Sequence, residues 1–291
     1  MNNAVFNVID NTIMKARNNA DSCAEDYKNS DGLLVCGKCH TLREIFLSLD
    51  KTNVFYERYK NHPVPVPCRC RKEKIDAEKM RLKQSEMEMR INRFRKEGIT
   101  DKNYLKYTFS QDDNKNPNIS KACRKYADNF SEMYNLGKGL VFCGQIGTGK
   151  TFYAGCIANE LISQARSVLM TNIPRLITQL GNSQEAKNCV LNEISHVSLL
   201  VIDDLGVERD TPYSLEKIYE IIDTRYRSGK PLIITTNLKY KDMKTEGNTS
   251  YKRIYDRILQ MCHPIPVLGE SRRSEESQKS TEFMNDFLGL N

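Results

Sequence analysis

The feature that most restricts what this chain can fold into is the run Gly144-Gln145-Ile146-Gly147-Thr148-Gly149-Lys150-Thr151, which fits the pattern GxxxxGK[ST]. An apolar stretch, Gly139–Cys143, precedes it, and a stretch of helical period follows it. That context matters. A strand that turns through glycines into a helix N-terminus aims its backbone N–H groups and the positive end of the helix dipole at one place, where an anion binds. Residues Gly144 to Gly149 then lend their backbone to the phosphates of a nucleotide. Lys150 reaches the β- and γ-phosphates and the Thr151 hydroxyl a Mg²⁺ ion. The fixed positions of the pattern would arise by chance in roughly 1% of chains this long, so an incidental glycine-rich turn is the weaker reading.

A second stretch belongs with the first. Leu199-Leu200-Val201-Ile202-Asp203-Asp204 reads as a buried strand that delivers two carboxylates at its C-terminal end, where ligands of open parallel sheets bind. Asp203 is expected to hold the Mg²⁺, directly or through water, and Asp204 to orient the attacking water as a base. Without the glycine loop, the same pair would read as the cap of the next helix. Pro231–Thr236 reads as another central strand, and the amide of Asn237 at its end could position water near the γ-phosphate. Alone, Asn237 is ordinary turn chemistry.

From about Tyr104 onward, short apolar runs alternate with helical stretches, the pattern of an α/β fold in which helices flank a parallel sheet. The expected strands are 139–143, 167–170, 199–203 and 231–235, with a fifth at 265–268. At 39% hydrophobic and 28% charged residues, the chain can bury a core and is not disordered throughout. No apolar run nears the roughly 18 residues of a membrane span, and the first residues lack a signal peptide's cationic stretch, so the chain is expected to be cytoplasmic.

Ten cysteines remain to be placed. Five of them, Cys123, Cys143, Cys156, Cys189 and Cys262, fall in stretches that read as core, where reduced buried thiols are expected. Four others form two pairs, Cys36-x₂-Cys39 and Cys68-x-Cys70. Four soft ligands in a reducing compartment point to a structural Zn²⁺, which replaces the core that a module of ~40 residues cannot build. The second pair is short, so His40, His62 or Cys23 could replace one ligand. A redox role for the first pair would leave the second unexplained. Residues 71–97, without Pro or Gly, read as a long polar helix stopped at Gly98. Residues 68–98 hold 11 Lys and Arg against 6 Asp and Glu, most of the chain's excess of +7. Such a stripe attracts nucleic acid or is a solvated helix face.

The order of phosphate loop, DD-ended strand and TTN-ended strand resembles the AAA+ ATPases. More narrowly, it is similar to the DnaC/DnaI-type helicase loaders and the related IstB-type transposition ATPases. Leu105-Lys106-Tyr107-Thr108-Phe109, Arg253-Ile254-Tyr255-Asp256-Arg257 and Gly269-Glu270-Ser271-Arg272-Arg273 resemble three further stretches of that family. The resemblance implies that Asn237 is the sensor-1 residue and Arg257 the arginine finger given to a neighbouring subunit, with Arg253 a second candidate. It makes Arg273 the sensor-2 arginine. It also implies residues 1–70 as a helicase-binding region with the zinc module, 71–100 as a basic linker and 101–291 as the ATPase domain. The activity implied is a weak ATPase, stimulated by DNA or by assembly into an ATP-dependent oligomer, which loads a DnaB-type replicative helicase onto single-stranded DNA. The alternative is an IstB-like ATPase that assists a transposase on duplex DNA. Tyr251 and Tyr255, beside Lys252 and Arg253, could stack bases or pack on a helix.

Overall fold

The hairpin at the start of the cysteine module is closed by local chemistry. β1 (Tyr27–Lys28) pairs antiparallel with β2 (Leu34–Val35), and Asn29 Oδ1 accepts hydrogen bonds from the backbone N–H groups of Asp31 and Leu33. Gly32, at φ +77°, supplies the left-handed residue of that turn. β3 (Glu44–Ile45) pairs with β4 (Val64–Pro65), and a single turn, α1 (Tyr56–Tyr59), lies between them in sequence. This computed structural model describes residues 25–53, 55–181, 183–206, 211–245 and 248–290; Cys23 lies outside them. The chain forms two compact units, ending and beginning at Glu86 and Met87.

The division falls inside α2 (Arg69–Gly98), a 30-residue helix that starts two residues before the expected one and takes Cys70 into its first turn. In the second unit, Ile91 and Phe94 of α2 pack against the core. Gly98 ends the helix where any Cβ would run into the carbonyl of Val168. There follow α3 (Pro117–Asp128), α4 (Phe130–Leu136), β5 (Gly139–Cys143), α5 (Lys150–Ser163), β6 (Val168–Asn172), α6 (Ile173–Gly181), α7 (Gln184–His196), β7 (Leu199–Leu205), α8 (Pro212–Arg227), β8 (Leu232–Thr236), α9 (Tyr240–Thr245), α10 (Thr249–Met261), β9 (Cys262–Pro266) and α11 (Arg272–Leu288). Caps set several helix starts. Ser183 and Thr211 accept the N–H groups of Ala186 and Ser214, and Pro212 opens α8.

The five long strands form one parallel sheet in the order β6-β7-β8-β5-β9. Strands β5 to β8 are buried on both faces over most of their length, which is why they read as unbroken apolar runs. Phe142, Val201 and Ile233 face the core built on α5, whereas Val141, Leu200, Ile202 and Ile234 face the core built on α8 and α10. After β5 the chain crosses to the far edge, makes β6, and returns through β7 and β8 to the side of β5. The C-terminal ends of β7, β8 and β5 therefore lie side by side, and the crevice of an open parallel sheet opens where that order reverses. Among the described residues no helix is long and apolar enough to cross a membrane.

Two expectations need correction. The fifth strand is Cys262–Pro266, not 265–268. It pairs only with β5 and lies at the sheet edge, where two prolines cost no shared ladder bond and no unbroken apolar run is required. Cys189, on the outer side of α7, is exposed, whereas Cys123, Cys143, Cys156 and Cys262 are buried. Of the two alternatives left open for Tyr251 and Tyr255, packing is the one seen: Tyr255 is a core residue at 5% exposure with Tyr251 stacked on it. One buried charge had no signature in the sequence. Arg225, fully enclosed, donates to the carbonyls of Ile194, Val197, Ser198 and Pro231, tying the end of α7 to the start of β8.

Candidate nucleotide and metal sites

Gly144, Gly147 and Gly149 all have positive φ, so the loop from β5 to α5 takes a path that side-chain-bearing residues resist. At Gly144 the need is also steric, because a Cβ there would run into the backbone carbonyl of Val267. The loop floors a cavity of about 520 Å³ lined by Ile146, Gly147, Gly149, Lys150 and Thr151. Phe152 of α5 adds to this lining, and Tyr107, Asp204, Asn237, Arg272 and Arg273 face the cavity from other elements. Gly144, Gln145 and Thr148 complete the loop, Thr148 donating its hydroxyl hydrogen to the carbonyl of Gln145 at 3.0 Å.

Lys150 is 5% exposed, and its ammonium is fully engaged. It donates to the carbonyls of Gly144 (3.0 Å) and Gln145 (2.7 Å) and to Oδ1 of Asn237 (2.7 Å). An ammonium has three donors, so an arriving phosphate must take the place of one of these acceptors. Burial pulls the Lys150 pKa down, against the opposing pull of Asp204. Asp204 is shifted the other way, raised by burial first and by the charge of Asp203 second. Its φ of +53° sits at an irregularity in the β7 ladder between Ile202 and Leu205, and it lines the cavity. Bulges of this kind re-aim side chains beside functional sites.

Asp203, 5% exposed, accepts two hydroxyl hydrogen bonds. Thr235 donates to Oδ1 at 2.6 Å and Tyr104 to Oδ2 at 2.9 Å. The Thr235 oxygen in turn accepts the backbone N–H of Asp204 at 2.8 Å. Neither partner was visible in the sequence, where Tyr104 stands far from the DD pair. Thr151 and Asp204 line the cavity itself, while Asp203, next to Asp204 at the end of β7, lies behind the lining; a threonine hydroxyl and neighbouring carboxylates are all-oxygen donors and suit Mg²⁺. With the positive-φ glycines and the buried lysine, the residues present fit a nucleotide triphosphate with its metal.

Arg272 and Arg273 both reach the cavity, and they differ in what holds them. Arg272 donates to Asp113 Oδ1 (2.8 Å) and to the Tyr153 hydroxyl (3.4 Å), and its backbone N–H bonds the Gly147 carbonyl at 3.0 Å. It thus fastens the start of α11 to the phosphate loop. Arg273 lines the cavity within reach of the charges of Lys150 and Asp204; burial is the main influence on both, lowering Lys150 and raising Asp204, and the Arg273 charge adds a smaller downward pull on each. Arg257 is not brought to the cavity of its own chain. Its Nη2 lies 2.8 Å from Asp223 Oδ1, a charge contact, and its guanidinium stands over the Tyr219 ring at 4.4 Å. Arg253 is exposed on the same helix.

The four cysteines of the first unit converge. Their sulfurs all lie within 4.8 Å of one another. Cys36 and Cys70 are 3.7 Å apart and Cys68 and Cys70 3.4 Å. Tetrahedral Zn–S bonds of about 2.3 Å put sulfurs about 3.8 Å apart, so the cluster could hold Zn²⁺. The Thr41 hydroxyl, 3.1 Å from Cys39, leads the donors that pull that thiol down to about 5, whereas hydrogen bonding with Cys68 and then Cys39 pushes Cys70 up to about 12. His40 and His62 are not in the cluster, and His40 Nδ1 instead meets the Tyr27 hydroxyl at 3.4 Å.

The profile of the IstB-like ATP binding proteins matches residues 69–280. The chain belongs to that family. Its sheet, with helices on both faces and the phosphate loop after a central strand, is the AAA+ form of the P-loop fold. Similar curated proteins are the replicative helicase loader DnaC of Escherichia coli strain K12, 34% identical over 145 residues, and the replicative helicase loader DnaI of Bacillus subtilis strain 168, 29% identical over 181 residues. These matches cover 48% and 57% of this chain, and 56% and 58% of the relatives, so each spans little more than half of the relative's length. A crystal structure of the DnaC helicase loader superposes with a TM-score of 0.50 at 26% identity, over 58% of this chain and all of that one.

Proposed function

We propose that this chain is an ATP-dependent loader that places a DnaB-type replicative helicase on single-stranded DNA, and that it is a weak ATPase stimulated by DNA or by its own assembly. The observation that carries the reading is the cavity itself, with Lys150, Thr151, Asp204 and Asn237 gathered at the ends of β5, β7 and β8 in a chain whose relatives are named replicative helicase loaders.

In this reading, residues 1–70 engage the helicase, 71–100 form a basic linker and 101–291 hold the nucleotide. The backbone N–H groups of Gly144 to Gly149 and the Lys150 ammonium bind the phosphates. Thr151 and Asp203 would hold Mg²⁺, which would supply neutralisation of the phosphate charge. Asp204 takes the proton of the attacking water. Its raised pKa suits a base, because burial leaves its charge poorly solvated. Asn237 orients that water, and Arg273 stabilises the charge that develops on the transferred group. Arg257 completes the site of a neighbouring subunit, which ties hydrolysis to assembly. Cys36, Cys39, Cys68 and Cys70 hold a structural Zn²⁺ that shapes the helicase-binding surface. All of this takes place in the cytoplasm.

The test is co-purification from the native cell, followed by anisotropy with labelled single-stranded and duplex oligonucleotides. A hexameric helicase in the eluate and salt-sensitive, ATP-strengthened binding to single strands are expected. A transposase in the eluate with a preference for duplex would replace this reading with the IstB-like one.

A further inference from the structure

Asp203 is held by a residue that belongs to neither of the strands that carry the nucleotide-site carboxylates and amide. Tyr104 sits in a one-turn 3₁₀ segment, Tyr104–Lys106, and is 9% exposed. Its hydroxyl donates to Asp203 Oδ2 at 2.9 Å, while Thr235 holds the other oxygen. The backbone of that turn is itself fixed from the phosphate-loop helix. Asn159 on α5 donates from Nδ2 to the carbonyls of Tyr104 (2.7 Å) and Tyr107 (2.9 Å). Just upstream, Ile99 bridges to Met170 of β6 and the Thr100 hydroxyl donates to the Met170 carbonyl at 3.0 Å. The segment that leaves α2 is therefore stitched first to the sheet edge and then to the carboxylate at the end of β7.

We propose that Tyr104 is a positioning residue for the magnesium carboxylate: its hydroxyl fixes Asp203 in the orientation that receives the metal, and so transmits the placement of the 99–107 segment to the metal site. The physical basis is the need of a buried carboxylate for donors. A hydroxyl on one oxygen alone leaves the group free to rotate about its Cβ–Cγ bond, whereas hydroxyls on both oxygens, approaching from β8 and from the 3₁₀ turn, leave one orientation. Groups that orient metal-holding carboxylates are commonly worth roughly 10–100-fold in metal affinity or activity.

The inference rests on the reading that this cavity takes ATP with Mg²⁺, and a binding measurement separates the two. Affinity of the full chain for a fluorescent ATP analogue is measured with EDTA and with Mg²⁺, for wild type, Tyr104→Phe, Asp203→Asn and the double variant. Tyr104→Phe keeps the ring, so the chain should stay folded with a somewhat lower thermal midpoint, because a buried carboxylate loses a donor, and its affinity in EDTA should match wild type. Its gain in affinity from Mg²⁺ should fall by roughly tenfold or vanish. The double variant should be no worse than Asp203→Asn, because Tyr104 acts through that carboxylate. A wild type that gains nothing from Mg²⁺ overturns the metal-site reading and the inference with it. A wild type that gains while Tyr104→Phe gains equally, or a double variant whose losses simply add, overturns the inference alone.

Discussion

Replacing Asn237 by Ala separates two roles that a nucleotide-site amide can have, because the Asn237 side chain is engaged with Lys150 and not with a loop amide. The 2.7 Å bond from the Lys150 ammonium to Oδ1 is charge-assisted, and such bonds contribute about 1.5–3 kcal/mol. The cavity is open to water, which can replace the lost acceptor, so the lower figure is the ceiling here. At about 1.4 kcal/mol per factor of ten, removal of this competitor for the ammonium leaves nucleotide affinity between unchanged and roughly tenfold tighter. Hydrolysis should move the other way. If the amide orients water, its loss should cost on the order of 10²–10³ in kcat, as for other single polar groups aimed at a transition state. The assays are equilibrium binding of a fluorescent ATP analogue and steady-state phosphate release, with Lys150→Ala as the comparison that loses binding outright. Binding weakened by more than tenfold in Asn237→Ala, in step with the rate, would show that the amide holds ground-state phosphate and would refute the reasoning.

Asp204→Asn should keep nucleotide binding and abolish hydrolysis, and at neutral pH it should raise the thermal midpoint. The raised Asp204 pKa means that the ionised form is disfavoured in the folded chain, so the variant's advantage should be present at neutral pH and shrink as pH falls through the folded pKa towards the ordinary carboxylate range; a lower midpoint at pH 7 would contradict this. Elemental analysis should find one Zn²⁺ per chain. Cys36→Ser should unfold residues 25–68 while the 87–291 unit retains its own thermal transition, and well under one zinc in the wild type would reject the site. Arg257→Ala should bind ATP yet lose stimulated hydrolysis, and mixing it with Asp204→Asn should restore part of the activity. Mixtures no more active than their components would leave Arg257 with its Asp223 contact as its only role.

What the sequence by itself determined is what local spacing can encode. The glycine loop, the apolar runs around it and the carboxylates at the end of Leu199–Leu205 are legible because each is a short segment whose chemistry depends on its neighbours along the chain. The cysteine pairs are legible for a related reason, since four soft ligands have few uses apart from a metal, and the fold brings their sulfurs together. The edge strand Cys262–Pro266 was misplaced because an edge needs no unbroken apolar run, only one pairing partner. Only the tertiary structure decided what each side chain meets across the sheet. Lys150 and Asn237 touch because β5 and β8 are neighbours, although two strands and four helices separate those strands in sequence order. Tyr104 reaches Asp203, Arg272 reaches Asp113, and Arg257 turns to Asp223 and away from its own cavity. Such contacts depend on strand order and helix packing, which bring together residues far apart in the chain, and no periodicity within a single segment records them.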